Sequence, residues 1–138
     1  MGASDFACTK GPHGPIGSWD VSAMTDMGML FGVTRTATSP GTAEFNGDIS
    51  HWDVSKVTNM EYMFQYNKSF KGDITMWDVR NVKHMRHMFI GATSFHHTLC
   101  CKWKEVLDSG KCTSLAMFRD SPGRICIDKY KADGRCKI

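Results

Sequence analysis

Apolar residues recur along the middle of the chain at a spacing of 25 residues. Phe45 begins a stretch that contains Gly-Asp-Ile and then Trp-Asp-Val, and Phe70 begins a second stretch with the same two motifs. The register continues beyond them, since one set of four apolar residues returns 25 positions later: Val57, Met60, Met63 and Phe64 become Val82, Met85, Met88 and Phe89. Self-similarity at a fixed period predicts tandem structural units.

Two weaker copies flank this pair. An earlier unit begins at Trp19, and residues 32–44 after it are rich in Thr, Ser, Gly and Pro, which is typical of a surface loop. After Phe95, the pattern Trp103 and Met117-Phe118 reads as a decayed unit that caps the array. We therefore predict one domain over 1–138, divided into an N-terminal arm (1–15), a first repeat with an inserted loop (16–44), second and third repeats (45–69 and 70–94), a degenerate repeat or cap (95–123) and a Cys-rich basic tail (124–138).

Each unit also predicts its own secondary structure. Val57, Met60, Met63 and Phe64 have the spacing of one face of a helix of two to three turns. Ser55, or Thr58 with Glu61 three residues on, would cap its first amides. Residues 48–54 are sufficiently β-branched and aromatic for a short strand. A single unit of this kind cannot cover its own apolar face, so we expect neighbouring units to stack Trp52 near Trp77 around a shared core of Trp19, Trp52, Trp77, Met60, Met63, Phe64, Met85, Met88 and Phe89.

Length, composition and charge are those of one soluble globular domain. The chain has 138 residues, of which 41% are hydrophobic and 22% charged, and no apolar run is long enough to cross a bilayer. The net charge is +3, and the basic excess lies in the last 39 residues, with nine Lys and Arg against five acidic residues; over residues 128–133 the basic residues alternate with acidic ones. This alternation does not favour nucleic-acid binding. We expect protein partners, with no transmembrane span, although peripheral association with a membrane complex fits the same pattern.

Six cysteines predict disulfide bonds. Their number is even. One is Cys8, and the other five fall in the last 39 residues: Cys100, Cys101, Cys112, Cys126 and Cys136. In a small domain this concentration favours a disulfide-stapled C-terminal end and an oxidising compartment, either extracellular or the lumen of an organelle. The pairing is open, except that a bond between the neighbours Cys100 and Cys101 would be strained. Asn67-Lys68-Ser69 forms a glycosylation sequon, which matters if the chain enters a secretory pathway.

Metal sites are alternative interpretations of two residue sets. Asp20, Asp53 and Asp78 share one repeat position, where they fit either turns that bind their own backbone amides or a calcium ladder. The chain lacks the Gly-Asp nonapeptide pattern of such ladders, so turns are the preferred interpretation. The second set, His84, His87, His96 and Cys100, would suit a transition metal. We nevertheless predict no bound metal or cofactor, because no Cys-x-x-Cys or His-x-x-x-His pair with the usual zinc spacing is present. We also predict no enzymatic activity, because nucleophile and phosphate-binding motifs are missing.

The residues that change between units predict a binding surface. These solvent-side positions are His51, Glu61, Tyr62, Met76, His84, Arg86 and His87. Exposed aromatic and Arg side chains are suited to protein contacts. The predicted function is a non-catalytic protein-interaction or scaffold module. The alternatives are a structural accessory subunit of a larger organellar complex, such as a lumenal photosynthetic one, and a metal-binding protein.

The motif Gly-Asp-Ile-Ser-x-Trp-Asp-Val-Ser-x-Val-Thr-x-Met-x-x-Met-Phe resembles the BspA-type repeat, a divergent relative of leucine-rich repeats. The likeness is close over residues 45–95 and extends more weakly from Trp19 to Phe118. It implies an α/β repeat fold, a short leucine-rich-repeat-like solenoid of about 25-residue strand/turn-helix units. It also implies non-enzymatic roles in bacterial and protist surface proteins that bind other proteins or cells. The cysteine-stapled C-terminal cap departs from that family pattern and suggests a eukaryotic secreted or lumenal version.

Overall fold

The structure is a computed structural model that describes residues 12–34 and 45–126. Regular secondary structure in these two ranges consists of a 3-10 turn (Ile16–Ser18), a short strand β1 (Thr98–Leu99), one helix α1 (Lys102–Asp108) and a second short strand β2 (Arg124–Ile125). The strands β1 and β2 are parallel, with Thr98 opposite Arg124 and Leu99 opposite Ile125. The rest of the described chain consists of turns and extended connections.

The expected fold class is therefore wrong. Residues 57–64 and 82–89 are not helical, residues 48–54 are not a strand, and the described residues contain only one seven-residue helix and two two-residue strands. This small amount of helix and strand does not match an α/β leucine-rich-repeat-like solenoid of strand/turn-helix units. The physical reason is that reverse turns also bring residues three apart together. Met63 N–H donates to the Met60 carbonyl oxygen at 3.3 Å, and Gln65 N–H to that of Tyr62 at 3.0 Å, so the turns satisfy the same apolar spacing.

Four nine-residue segments lie side by side, and we call them row 1 (25–33), row 2 (58–66), row 3 (83–91) and row 4 (112–120). Parallel bridges join Asp26 to Asn59, Asn59 to His84, and His84 to Thr113. Alternate amides of each row donate to carbonyl oxygens of the next; in row 2, Met60 donates to His84 at 2.8 Å and Phe64 donates to Met88 at 2.9 Å. Backbone hydrogen bonds between segments distant in sequence thus replace those inside a helix.

Left-handed backbone at one position makes these turns incompatible with a helix. The fifth residue of every row has a positive φ, with values of 57° at Met29, 59° at Tyr62, 54° at His87 and 51° at Ala116. A single left-handed residue interrupts an α-helix and suits the third position of a type II turn. Near the end of row 3, Gly91 has a φ of 68°, and a Cβ there would overlap the ring of Tyr66.

The core consists of aromatic stacks that run across the rows. Four phenylalanines, one per row, stack at ring-centroid distances of 5.6, 5.5 and 5.3 Å; they are Phe31, Phe64, Phe89 and Phe118. A second file, Phe45, Phe70 and Phe95, packs against the first, with Phe64 and Phe70 3.9 Å apart. The methionines expected in the core, Met60, Met63, Met85 and Met88, are fully buried. Rings and thioethers of the neighbouring segments therefore cover one another.

Buried tryptophans tie the segments together by their indole N–H groups. Trp52 Nε1 donates to the carbonyl oxygen of Ile16 at 2.9 Å, and Trp77 Nε1 donates to that of Ile49 at 3.1 Å. Trp103 makes the same bond to Ile74 at 3.3 Å. Trp19 differs from the core expectation, because it is 40% exposed and its indole bonds to His13 in an exposed contact. The first tryptophan lies at the N-terminal end of the array, where its ring contacts that of His13 at a centroid distance of 6.4 Å.

Candidate interaction surface

Five of the predicted surface residues lie together on rows 2 and 3. We call Glu61, Tyr62, His84, Arg86 and His87 the row face. The backbone bonds Met60–His84 and Tyr62–Arg86, at 2.8 and 3.0 Å, hold the two rows in register beneath these side chains. Arg86 and His84 are exposed, whereas the other three are half-buried. The turns therefore present polar and aromatic groups on a backbone that is fixed by hydrogen bonds.

A stacked ring pair forms the centre of the row face. The rings of Tyr62 and His87 lie 5.3 Å apart at an interplanar angle of 19°. Both residues occupy the left-handed position of their rows, so the two side chains leave the backbone at equivalent, hydrogen-bonded points. The Nδ1 atom of His87 is buried and has no hydrogen-bond partner among the described residues. Such pre-ordered rings lose little side-chain entropy when a partner covers them.

Sequence reasoning missed neighbours of the row face on rows 1, 2 and 4. Asp26 and Asn59 occupy the same row position as His84 and continue its line of polar side chains across the rows. Asn59 Nδ2 donates to Asp26 Oδ1 at 3.0 Å. Met29 lies one row from Tyr62 and is 43% exposed, and Leu115 lies one row from Arg86 and is 65% exposed. These residues could have been found by aligning rows 1 and 4 with row 2 at the shared phenylalanine, Phe31, Phe64 or Phe118, but insertions between the units shift their numbering.

The other two predicted surface residues, His51 and Met76, lie in different turns. Each precedes a core tryptophan, in turns closed by the bonds Trp52 N–H to Ile49 and Trp77 N–H to Ile74, both 3.1 Å. Both side chains are exposed, and Met76 is 77% exposed. The seven residues predicted as one patch are thus divided between the row face and these two turns.

Aspartates of the repeat positions bind the backbone of their own turns. Asp53 Oδ1 accepts the Ser55 N–H at 3.0 Å, and Asp73 Oδ1 accepts both the N–H and the hydroxyl of Thr75, at 2.9 and 2.6 Å. Asp20 and Asp48 do the same with Ser22 and Ser50. The hydrogen bonds that Asp73 accepts from Thr75 lower the pKa of Asp73, and the bond from Arg80 lowers the pKa of Asp78 to about 2. Each carboxylate is thereby kept ionised by donors within its own turn.

Three of the four residues considered as a transition-metal set, His84, His96 and Cys100, have other partners. Cys100 forms a disulfide, His84 Nδ1 lies 3.3 Å from the Thr113 hydroxyl, and His96 Nδ1 lies 2.9 Å from the Ser94 carbonyl oxygen. In residues 12–34 and 45–126, no group of three or more His, Cys, Asp or Glu residues is arranged to hold an ion.

The C-terminal end contains a disulfide, as the cysteine pattern predicted. Cys100 is bonded to Cys126 with their Cα atoms 5.2 Å apart, and Cys101 is also disulfide-bonded. Cys112 is instead a free thiol, and burial raises its pKa to about 11, so it stays protonated at neutral pH. Cys8 and Cys136 lie outside the described residues. The Cys100–Cys126 bond is typical of proteins in oxidising compartments.

The sequon residue Asn67 is fully buried. Its exposed fraction is 0%, and its Oδ1 accepts the amides of Ser69 and Phe70, both at 3.2 Å. A glycan on the folded chain would require removing this side chain from the core. The sequon therefore marks a turn of the fold rather than an accessible modification site.

Comparison with known proteins identifies the family. A family model described as "Mycoplasma protein of unknown function, DUF285" matches residues 3–121. The chain belongs to this family. The assignment agrees with the BspA-type resemblance at the level of the family, and the DUF285 description assigns no activity. No curated protein and no solved structure matches the chain. The described part of this DUF285 member contains no helix long and apolar enough to span a membrane.

Proposed function

We propose that this DUF285 protein is a non-catalytic protein-binding module and that the row face is its contact surface. The observation that supports this most strongly is the Tyr62–His87 ring pair, 5.3 Å apart and seated on two hydrogen-bonded rows. Aromatic rings and Arg are the residue types enriched where proteins meet. A rigid support reduces the entropy lost on binding.

The charges of the row face indicate the kind of protein surface it would contact. Arg86 is exposed and directly precedes His87 in row 3, and Glu61 occupies the same position in row 2. A partner with an acidic group opposite Arg86 and an apolar or aromatic group over the rings would satisfy both features. Binding of this kind depends on shape and a few central groups rather than on net charge.

The compartment is part of the same proposal. The Cys100–Cys126 disulfide and the BspA-type resemblance both support an extracellular or organelle-lumen location. A surface role in binding other proteins or cells fits such a location.

Affinity capture from the native source with matched surface variants tests the function. The intact chain should retain a stoichiometric protein partner, and Arg86→Glu combined with His87→Ala should lose it, because both changes remove groups from the row face. Lys68→Glu is the control, since it also reverses an exposed positive charge but lies outside the rows. Equal capture by all three chains, with circular dichroism spectra that match, would contradict the proposal.

A further inference from the structure

Cys101 forms a disulfide that the other described cysteines do not explain. Cys100 and Cys126 are bonded to each other, and Cys112 is a free thiol. Cys101 is disulfide-bonded in addition to that pair. Because one sulfur atom takes part in one disulfide only, the partner of Cys101 is one of the two cysteines that lie outside the described residues.

The position of Cys101 in the array argues against Cys8 as this partner. The indole hydrogen bonds place the tryptophan turns side by side in chain order, with Ile16 in the first turn and Cys101 in the last. A connection from Cys8, which precedes the first turn, would pass over the two turns between them. His51 and Met76 lie on this path at the repeat position of Cys101, and both are exposed. Since Met76 is 77% exposed, its side chain is not covered by another segment.

The length of the connecting chain favours Cys136. The bond to Cys100 holds Cys126 beside Cys101, with the Cα atoms of the bonded pair 5.2 Å apart. Cys136 follows Cys126 by 10 residues, so a second bond to Cys101 closes a short loop once the first bond is in place. Closing a short loop costs less chain entropy than closing the 93 residues that separate Cys8 from Cys101.

Charge around the two sulfur atoms supports the same pairing. Cys101 directly precedes α1, and the Glu105 N–H in the first turn of that helix donates to the Cys101 carbonyl oxygen at 2.9 Å. Cys136 is preceded by Arg135 and followed by Lys137, whereas both neighbours of the other candidate cysteine are uncharged. A bond to Cys136 therefore brings two cationic residues to the acidic first turn of α1.

We propose that a disulfide between Cys101 and Cys136 fastens the basic segment 127–135 to the start of α1. The bond joins the two sulfur atoms with loss of two protons and two electrons, which reduce a disulfide of the oxidising compartment to two thiols. The neighbours Cys100 and Cys101 thereby hold the two ends of this segment, and reduction releases it. This proposal does not depend on the function proposed for the row face.

A peptide map of the full oxidised chain under non-reducing conditions provides the first test. Free thiols are blocked with N-ethylmaleimide in guanidinium chloride, and the chain is then digested with trypsin and analysed by mass spectrometry. Peptides 87–102, 125–129 and 136–137 should appear as one linked cluster, because they carry the four bonded cysteines. Peptide 1–10 should carry the maleimide label. A cluster that contains peptide 1–10 in place of 136–137, or a bond that joins two copies of the chain, would overturn the proposal.

Counting labelled thiols in two matched variants provides an independent test. The original chain should take up two maleimide groups, one on Cys8 and one on Cys112. Cys136→Ser should take up three, because it leaves Cys101 without its partner. Cys8→Ser is the control and should take up one, since it removes a free thiol and leaves both disulfides intact. The reverse result, one group on the first variant and three on the second, would assign the bond to Cys8 instead.

Discussion

The buried indoles are the residues that join successive segments most specifically. Trp52, Trp77 and Trp103 each donate one hydrogen bond to a carbonyl oxygen between 28 and 36 residues earlier in the chain. These oxygens lie in the core, where an unpaired polar group costs free energy. Each tryptophan therefore contributes packing and a directional bond at once, which explains why this residue recurs in the motif.

Trp77→Phe should lower the free energy of unfolding by about 1–3 kcal/mol, because it leaves the Ile49 carbonyl oxygen buried without its donor. Trp19→Phe is the matched control and should change it by about 0.5 kcal/mol or less, since that indole bonds at the surface. Urea unfolding followed by circular dichroism measures both. Equal losses in the two variants would contradict the role assigned to the buried bond.

The turn aspartates should make stability depend on pH in the acid range. Their folded-state pKa values lie below the ordinary value of 3.8, and that of Asp78 is about 2. A lowered pKa means that the unfolded chain binds more protons between these values, so the contribution is complete above pH 4 and is lost as the pH falls toward 2. Urea unfolding of the original chain and of Asp78→Asn between pH 2 and 5 should show a shallower decline for the variant. Parallel curves would refute this.

At the scale of the element, the rows show what the sequence could predict and what it could not. The buried positions follow from the repeat, and Met60, Met63 and Phe64 are as buried as expected. Their apolar spacing fits both a helix and a series of turns, so it could not decide between them. The deciding feature is the positive φ at Tyr62 and His87, and neither residue type signals a left-handed conformation as Gly would.

The row face was predictable only in part. The pattern of changes between units found its five residues but could not separate them from His51 and Met76.

The left-handed position in row 4 offers a test of the turn geometry. Ala116→Gly should raise the free energy of unfolding by about 0.5–1 kcal/mol, because glycine removes the steric cost of a positive φ. This gain is larger than the loss that comes from the greater freedom of glycine in the unfolded chain. Ala92→Gly should lower it, since Ala92 is fully buried and its φ is not positive. Thermal unfolding of both variants measures the difference. Destabilisation by both would argue against a left-handed residue 116.

At the scale of the whole molecule, the array depends on contacts between segments far apart in sequence, and its C-terminal end has an additional covalent restraint. The parallel pairing of β1 with β2 lies next to the Cys100–Cys126 bond. A disulfide closing a loop of this length, 26 residues, restricts the unfolded chain by about 3–4 kcal/mol. Loss of this bond should therefore affect the end more than the middle.

Reduction should increase proteolysis within residues 98–126 before it affects rows 2 and 3. Limited proteolysis with mass spectrometry, with and without reductant, locates the first cuts. Cys112→Ser is the control, since that thiol is free and its replacement should leave the oxidised pattern unchanged. Identical digestion with and without reductant would show that the disulfide does not hold this end.

Hydrogen bonds between rows, rather than bonds within a helix, hold the backbone that supports the row face. The most direct measurement is the NMR scalar coupling transmitted through individual hydrogen bonds. A coupling from the Phe64 amide nitrogen to the carbonyl carbon of Met88, and from Phe89 to Met117, is the predicted result. A coupling from Phe64 to the carbonyl carbon of Met60, four residues earlier as in an α-helix, would contradict the account.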